Sequence, residues 1–152
     1  MAIEIRGQCP LLQVFDMSKS IKFYCDLLGF NIVMTSRPGP QFDWALLRRE
    51  GAELMLNTAY ESDKRPATPD PRWVAAHEDT SIYFGCPNVE GAFQHLIAHG
   101  IRVKEPRVAH YGMKQLYLAD PDGYILCFQW PAEEHNPSSR GNPEKVAGAS
   151  TV

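Results

Sequence analysis

The chain has 152 residues, with 15 Lys and Arg against 18 Asp and Glu and a net charge of −3. That balance excludes a protein that grips nucleic acid through a basic surface. No apolar run is long enough to span a membrane, and the opening MAIEIRGQCP lacks the apolar centre of a secretion signal, so a cytoplasmic location is expected.

In chain order, CPLLQVF reads as a strand. Asp16 then offers an N-cap, and MSKSIKFYCDLL carries apolar residues at helical spacing until Gly29 stops it. FNIVMTS and FDWALLRR read as strands, and Glu50-Gly51 is a hairpin turn into AELMLN. Residues 58–79 are rich in Pro, charge and Ala and show no sheet period, which predicts a linker or a lid, with Trp73 a candidate to close over a cleft. TSIYFGC follows as a strand, and Asn88 caps a helix over VEGAFQHLIAH that ends at Gly100. IRVKEPRV and MKQLYLA are strands. An Asp120-Pro121-Asp122-Gly123 turn then leads into YILCFQW. Residues 133–152 are polar and breaker-rich and predict a disordered tail.

The order strand, helix, strand, strand, strand occurs twice. The caps Asp16 and Asn88 stand as far apart as the turn glycines Gly51 and Gly123, the mark of a duplicated module. The expected organisation is one α+β domain over 1–132, with module 1 at about 8–57, a linker at 58–79 and module 2 at about 80–131.

Side chains on a strand alternate between faces. Leu12 and Val14, Leu54 and Leu56, Ile82 and Phe84, and Leu126 and Phe128 define an apolar face suited to packing under the helices. The opposite face carries Cys9, Leu11, Gln13, Glu53, Met55, Asn57, Ser81, Tyr83, Ile125, Cys127 and Gln129. Apolar walls with a few polar groups suit a ligand pocket. Trp44 and Tyr111 are candidates to stack on a flat ligand, and His110 lies beside Tyr111 where a cleft would open. Trp44 also alternates with Phe42 and Leu46, so core packing competes with that role. His77 falls in the linker. His95 and His99 read as surface residues. The four cysteines, Cys9, Cys25, Cys86 and Cys127, form no Cys-x-x-Cys pair and read as free thiols packed as small hydrophobes.

The pattern Asp16, Ser20, Phe23, Tyr24, Leu28, Gly29, Phe30, followed by GAELMLN and YGMKQLYLADPDGYILCFQ, resembles the vicinal oxygen chelate superfamily. That group contains glyoxalase I, extradiol dioxygenases and the fosfomycin- and bleomycin-resistance proteins. The resemblance covers about residues 8–130. It implies two βαβββ modules whose mixed sheets curl around a cleft, with helices on the convex side, and often a homodimer. Metal-dependent members place four ligands, usually His and Glu, on cleft-facing strand positions, and these fall here on Cys9, Met55, Ser81 and Cys127. None of the four is His, Asp or Glu, and Ser and Met are poor ligands for Zn, Ni, Mn or Fe(II), whereas thiolate and thioether from Cys9, Met55 and Cys127 would suit a soft ion such as Cu(I). The pattern is therefore most similar to the metal-free bleomycin-resistance branch. The expectation is a protein without cofactor or catalytic residues that sequesters an antibiotic-like small molecule in a cleft lined by Cys9, Leu11, Gln13, Trp44, Met55, Asn57, Ser81, Tyr83, His110, Tyr111, Cys127 and Gln129. The alternative is a lyase, isomerase or dioxygenase with an atypical metal site.

Overall fold

The computed structural model describes residues 3–60 and 64–132. Module 1 begins with β1 (Leu11–Gln13) and α1 (Met17–Ile21), which continues as a π-helical turn over Lys22–Leu27. It closes with β2 (Asn31–Thr35), β3 (Trp44–Arg49) and β4 (Ala52–Asn57). After the connection comes α2 (Pro71–His77). Module 2 repeats the order with β5 (Ser81–Gly85), α3 (Val89–Ala98), β6 (Arg107–Val108), β7 (Met113–Ala119) and β8 (Ile125–Pro131). The expected tail, 133–152, lies outside the described residues.

Each module forms its own four-stranded mixed sheet, in the orders β1-β4-β3-β2 and β5-β8-β7-β6. In each sheet the first strand runs parallel to the last and the others pair antiparallel. The first strand of a module can pair parallel with its last because the helix carries the chain back across the sheet. Among the described residues no strand pairs across from one sheet to the other. β1 and β5 are each an outer strand, and their only strand partners are β4 and β8. Two strands are also shorter than their apolar runs suggest: CPLLQVF contributes three paired residues and IRVKEPRV two.

The caps act as the sequence implies. The Asp16 carboxylate accepts from the backbone N–H of Lys19, and the Asn88 amide oxygen from that of Gly91. Gly29 turns the chain at φ +77°, a conformation that costs a residue with a Cβ dearly. The widened π turn sets Tyr24 in the first core cluster while Phe23, Leu27 and Leu28 reach the second.

The first cluster joins both modules. Leu12, Leu47, Leu54 and Leu56 of sheet one, with Val14 just after β1, pack with Tyr24, with Tyr124 just before β8 and with Leu126 of β8. The second sets Val89 and Leu96 of α3 against Leu116 and Leu118 of β7. Each buried Leu contributes about 1.5–3 kcal/mol, so the apolar face read from alternation is the face that holds the fold.

A second bond between modules runs through the Asp-Pro-Asp-Gly turn. Asp122 accepts from the Phe15 backbone N–H at 2.8 Å and from the Ser20 hydroxyl at 3.1 Å. Asp120 accepts from the Tyr24 hydroxyl at 2.8 Å and from the backbone N–H groups of Asp122 and Tyr124, each at 2.9 Å. The Tyr124 hydroxyl donates to the Gln13 carbonyl and accepts from its N–H, satisfying the outer edge of β1. The turn therefore fastens module 2 onto the strand-to-helix corner of module 1.

The linker holds α2, which the sequence reading left without structure. Asp70 caps it and Pro71 opens it, a favoured pairing at a helix start. Trp73 does not cover an open sheet face. It packs between Phe15, at 6.4 Å, and His77, at 4.2 Å. His77 stacks on Tyr124 at 4.1 Å and donates from Nδ1 to the Asp122 carbonyl. Helix α2 is thus a strap across the turn, held there by aromatic area.

Candidate ligand-binding site

The strand faces turned away from the core carry the candidate chemistry. On sheet two the register aligns Tyr83, Cys127 and Tyr117 in one cross-strand row, and Gly85, Gln129, Gln115 and Arg107 in the next. Gln115 is the centre of a hydrogen-bonded group and is only 8% exposed. Its Nε2 donates to the Tyr111 hydroxyl at 2.7 Å and to Gln129 Oε1 at 2.8 Å. Its Oε1 accepts from the Tyr117 hydroxyl at 3.1 Å. Tyr83 and Tyr117 meet hydroxyl to hydroxyl at 3.3 Å.

The protons are thereby assigned. Tyr117 gives its proton to Gln115, so Tyr83 donates to Tyr117. The Tyr111 O–H and the Gln129 Nε2 protons are left to point at a ligand, and the Tyr83 oxygen remains an acceptor. The neighbouring Tyr83 phenol first, then burial and the Cys127 thiol, hold the Tyr117 phenol above its ordinary range, so it stays neutral. The face is an uncharged layer of three phenols and two amides, rimmed by Arg107.

The open face of sheet one differs. Leu11, Met55, Leu46 and Met34 align across all four strands as an apolar row. Beside it lie Gln13, Asn57 and Trp44, with Asn57 Nδ2 donating to Gln13 Oε1 at 3.1 Å. On the other side Arg48 pairs with Glu53 at 2.6 Å, so the one carboxylate of this face is neutralised.

The twelve candidate residues therefore fall into two sets. Cys9, Leu11, Gln13, Trp44, Met55 and Asn57 belong to sheet one. Ser81, Tyr83, His110, Tyr111, Cys127 and Gln129 belong to sheet two. His110 sits in the turn before β7, exposed, its ring edge-on to Tyr111 at 5.1 Å. Two members of the network, Gln115 and Tyr117, were missed because β7 was not read by face; MKQLYLA alternates, and the alternation places both beside Tyr83.

The positions that correspond to metal ligands do not suit an ion. Among the described residues no three His, Cys, Asp or Glu side chains are grouped to hold a metal. Burial raises the thiol of Cys127, which is wholly enclosed, and burial with the Glu53 charge raises that of Cys9. A thiol pushed upward resists becoming the thiolate that binds metal or attacks carbon.

A separate groove of about 850 Å³ lies between the modules, walled by Pro10, Leu28, Ile82, Phe84, His95 and Phe128. His95 is not a free surface side chain there: it donates to the Leu27 carbonyl at 2.8 Å. This groove opens between the outer strands and lacks the hydrogen-bond network of sheet two.

Two βαβββ modules, each with its own four-stranded mixed sheet, define the class of α+β protein to which the fold belongs. The family model described as Glyoxalase/Bleomycin resistance protein/Dioxygenase superfamily matches residues 8–128. The chain belongs to that superfamily. It is 27% identical over 122 residues to the "Probable lactoylglutathione lyase" of Synechocystis sp., covering 76% of this chain and 88% of that protein. Two solved structures share the fold. The antibiotic binding protein TnmS3 from Streptomyces sp. CB03234 has a TM-score of 0.61 at 22% identity, over 87% of this chain and 99% of that one. Bleomycin-binding protein complexed with bleomycin has a TM-score of 0.61 at 21% identity, over 82% and 98%.

Proposed function

We propose that the protein binds an antibiotic-like small molecule on its open sheet faces, without metal, and acts by sequestration. The neutral network of Tyr83, Tyr117, Gln115, Gln129 and Tyr111 carries this reading. Flat aromatic or amide-bearing molecules match such a surface, since phenols stack and amides fix orientation. The binding proteins that share the fold support the same reading.

The active form on this reading is a homodimer. In a single chain the open faces are surfaces, with Leu11 47%, Met34 58%, Tyr83 49% and Tyr117 46% exposed. A second copy would roof them and cover the apolar residues of the outer strand β2. A thermal-shift screen over glycopeptides, aromatic antibiotics and thiol conjugates tests the function: a saturable rise in melting temperature is expected for at least one class. A rise absent for all of them, or one that survives Gln115→Leu with Tyr117→Phe, refutes it.

A lyase reading is favoured by the Synechocystis relative and opposed by the donor set. Turnover of the methylglyoxal–glutathione hemithioacetal, followed as thioester absorbance with Zn or Ni added, would establish it. Elemental analysis of protein purified without chelator should show no stoichiometric metal under the binding reading.

A further inference from the structure

The cations of module 2 collect at one edge of the aromatic face. A groove of about 800 Å³ runs between β7 and the segment leading into β6. Its lining includes Arg102, Lys104, Arg107, Gln115 and Tyr117, with Glu105 as its one carboxylate. Ile101 and Val103 turn into the second core cluster, while Arg102 and Lys104 are exposed. Among the described residues, none of Arg102, Lys104 and Arg107 has an ion-pair partner. Three cations against one anion stand out on a chain whose net charge is −3.

The hydrogen bonds point the same way independently of charge. Arg107 pairs in register with Gln115, in the row that continues to Gln129. Gln115 spends both amide protons inside the network, in which the Tyr111 hydroxyl and the Gln129 amide only accept, so the Tyr111 O–H and the Gln129 N–H groups are not spent there. Phenol, amide and guanidinium donors thus surround one end of the platform. Donors converging beside a cation select a carboxylate, sulfate or phosphate oxygen over a neutral group.

We infer that the ligand is a planar aromatic anion, its ring face-on to one of Tyr83 and Tyr117 and edge-on to the other, since the two rings stand at 87°, and its acidic group held by Arg107, Tyr111 and Gln129. This rests on the binding reading above and narrows it to a charge class. The charge is a specificity device more than a source of affinity, because the groove is open to water and salt screens it.

The probes are naphthalene-2-carboxylate and its neutral isostere naphthalene-2-carboxamide, titrated into the full chain by calorimetry. At about 20 mM salt the carboxylate should bind at least about tenfold more tightly, and at about 500 mM salt the advantage should shrink. Arg107→Gln should bring the two probes within about twofold by weakening the carboxylate more than the carboxamide, and Arg107→Lys should restore part of the preference. Equal binding of the two probes, or a preference that survives Arg107→Gln, overturns the charge selectivity alone. No binding of either probe up to about 10 mM overturns the platform reading, and this one with it.

Discussion

Neutralising Asp120 should stabilise the protein at neutral pH. The carboxylate is 6% exposed and accepts three hydrogen bonds, yet among the described residues it has no ion-pair partner. Burial first, and the neighbouring Asp122 charge second, push its pKa up to about 6, against the downward pull of the Tyr24 hydroxyl and the backbone N–H groups. An unfolded Asp titrates near 4, so the gap is about two pH units, or about 3 kcal/mol. The folded value lies above the unfolded one. The native state therefore holds the extra proton between about pH 4 and 6, and this group's contribution to stability is full below that window and lost as pH rises through it. In Asp120→Asn the amide oxygen can still accept from the N–H groups of Asp122 and Tyr124, and the amide nitrogen can donate to the Tyr24 oxygen. The hydrogen bonds to an amide are weaker than those to a carboxylate and the buried Tyr24 proton loses its acceptor, so the expected gain at pH 8 is at most about 1 kcal/mol and not the whole 3. Urea unfolding of both proteins from pH 4.5 to 8 checks this, because the difference curve cancels the other carboxyl groups. The variant's advantage should appear only as pH rises through 6. A variant less stable than the parent at pH 8, or a difference flat with pH, refutes the reasoning.

Gly123 sits at φ +91°, and a Cβ there would lie 2.6 Å from the Val74 carbonyl oxygen. Gly123→Ala should cost about 2–3 kcal/mol and speed tryptic cleavage at Arg72 by loosening α2. Cys127 should alkylate far more slowly than Cys9 in the native protein at neutral pH. Cys127→Ala should cost about 1–2 kcal/mol, as removal of a small core group does; fast labelling of Cys127 below neutral pH would contradict its enclosure. Sedimentation at about 10 µM should show a dimer, and Met34→Asp should shift it toward monomer; a monomeric parent protein refutes the paired state.

The fold was legible where periodicity and punctuation agree. Leu12, Leu54, Leu56 and Leu126 alternate with polar partners, and Asp16, Asn88 and Gly29 mark helix ends by chemistry that acts locally. What escaped was long-range or overlooked. The sequence 70–77 carries its own start signal, Asp70 before Pro71, but no apolar stripe. Its helix is held by Trp73 and His77 against residues far along the chain, and no local pattern reports that. The Asp-Pro-Asp-Gly turn was legible as a turn but not as a fastener, because its carboxylates bind the Phe15 amide and the Ser20 hydroxyl, about a hundred positions away. Reading MKQLYLA by face would have put Gln115 on the open side, but its partners Gln129 and Arg107 follow from register, which is a property of the sheet.

The four strand positions that correspond to ligand positions in metal-dependent relatives show what this chain can and cannot do. A bound ion would polarise a substrate oxygen there and stabilise charge as it develops. Cys9, Met55, Ser81 and Cys127 offer no such centre. Sheet two instead presents hydroxyls and amides tied into one network, with Gln115 at the hub. Such a surface changes little when a ligand arrives, since its groups are oriented beforehand and lose little freedom on binding. It also lacks a group placed to take or give a proton: the Tyr117 phenol is held above its ordinary range, and the Cys127 thiol likewise. On the proposed reading, a face whose groups are oriented beforehand grips a molecule without having to change it, which is what sequestration asks of it.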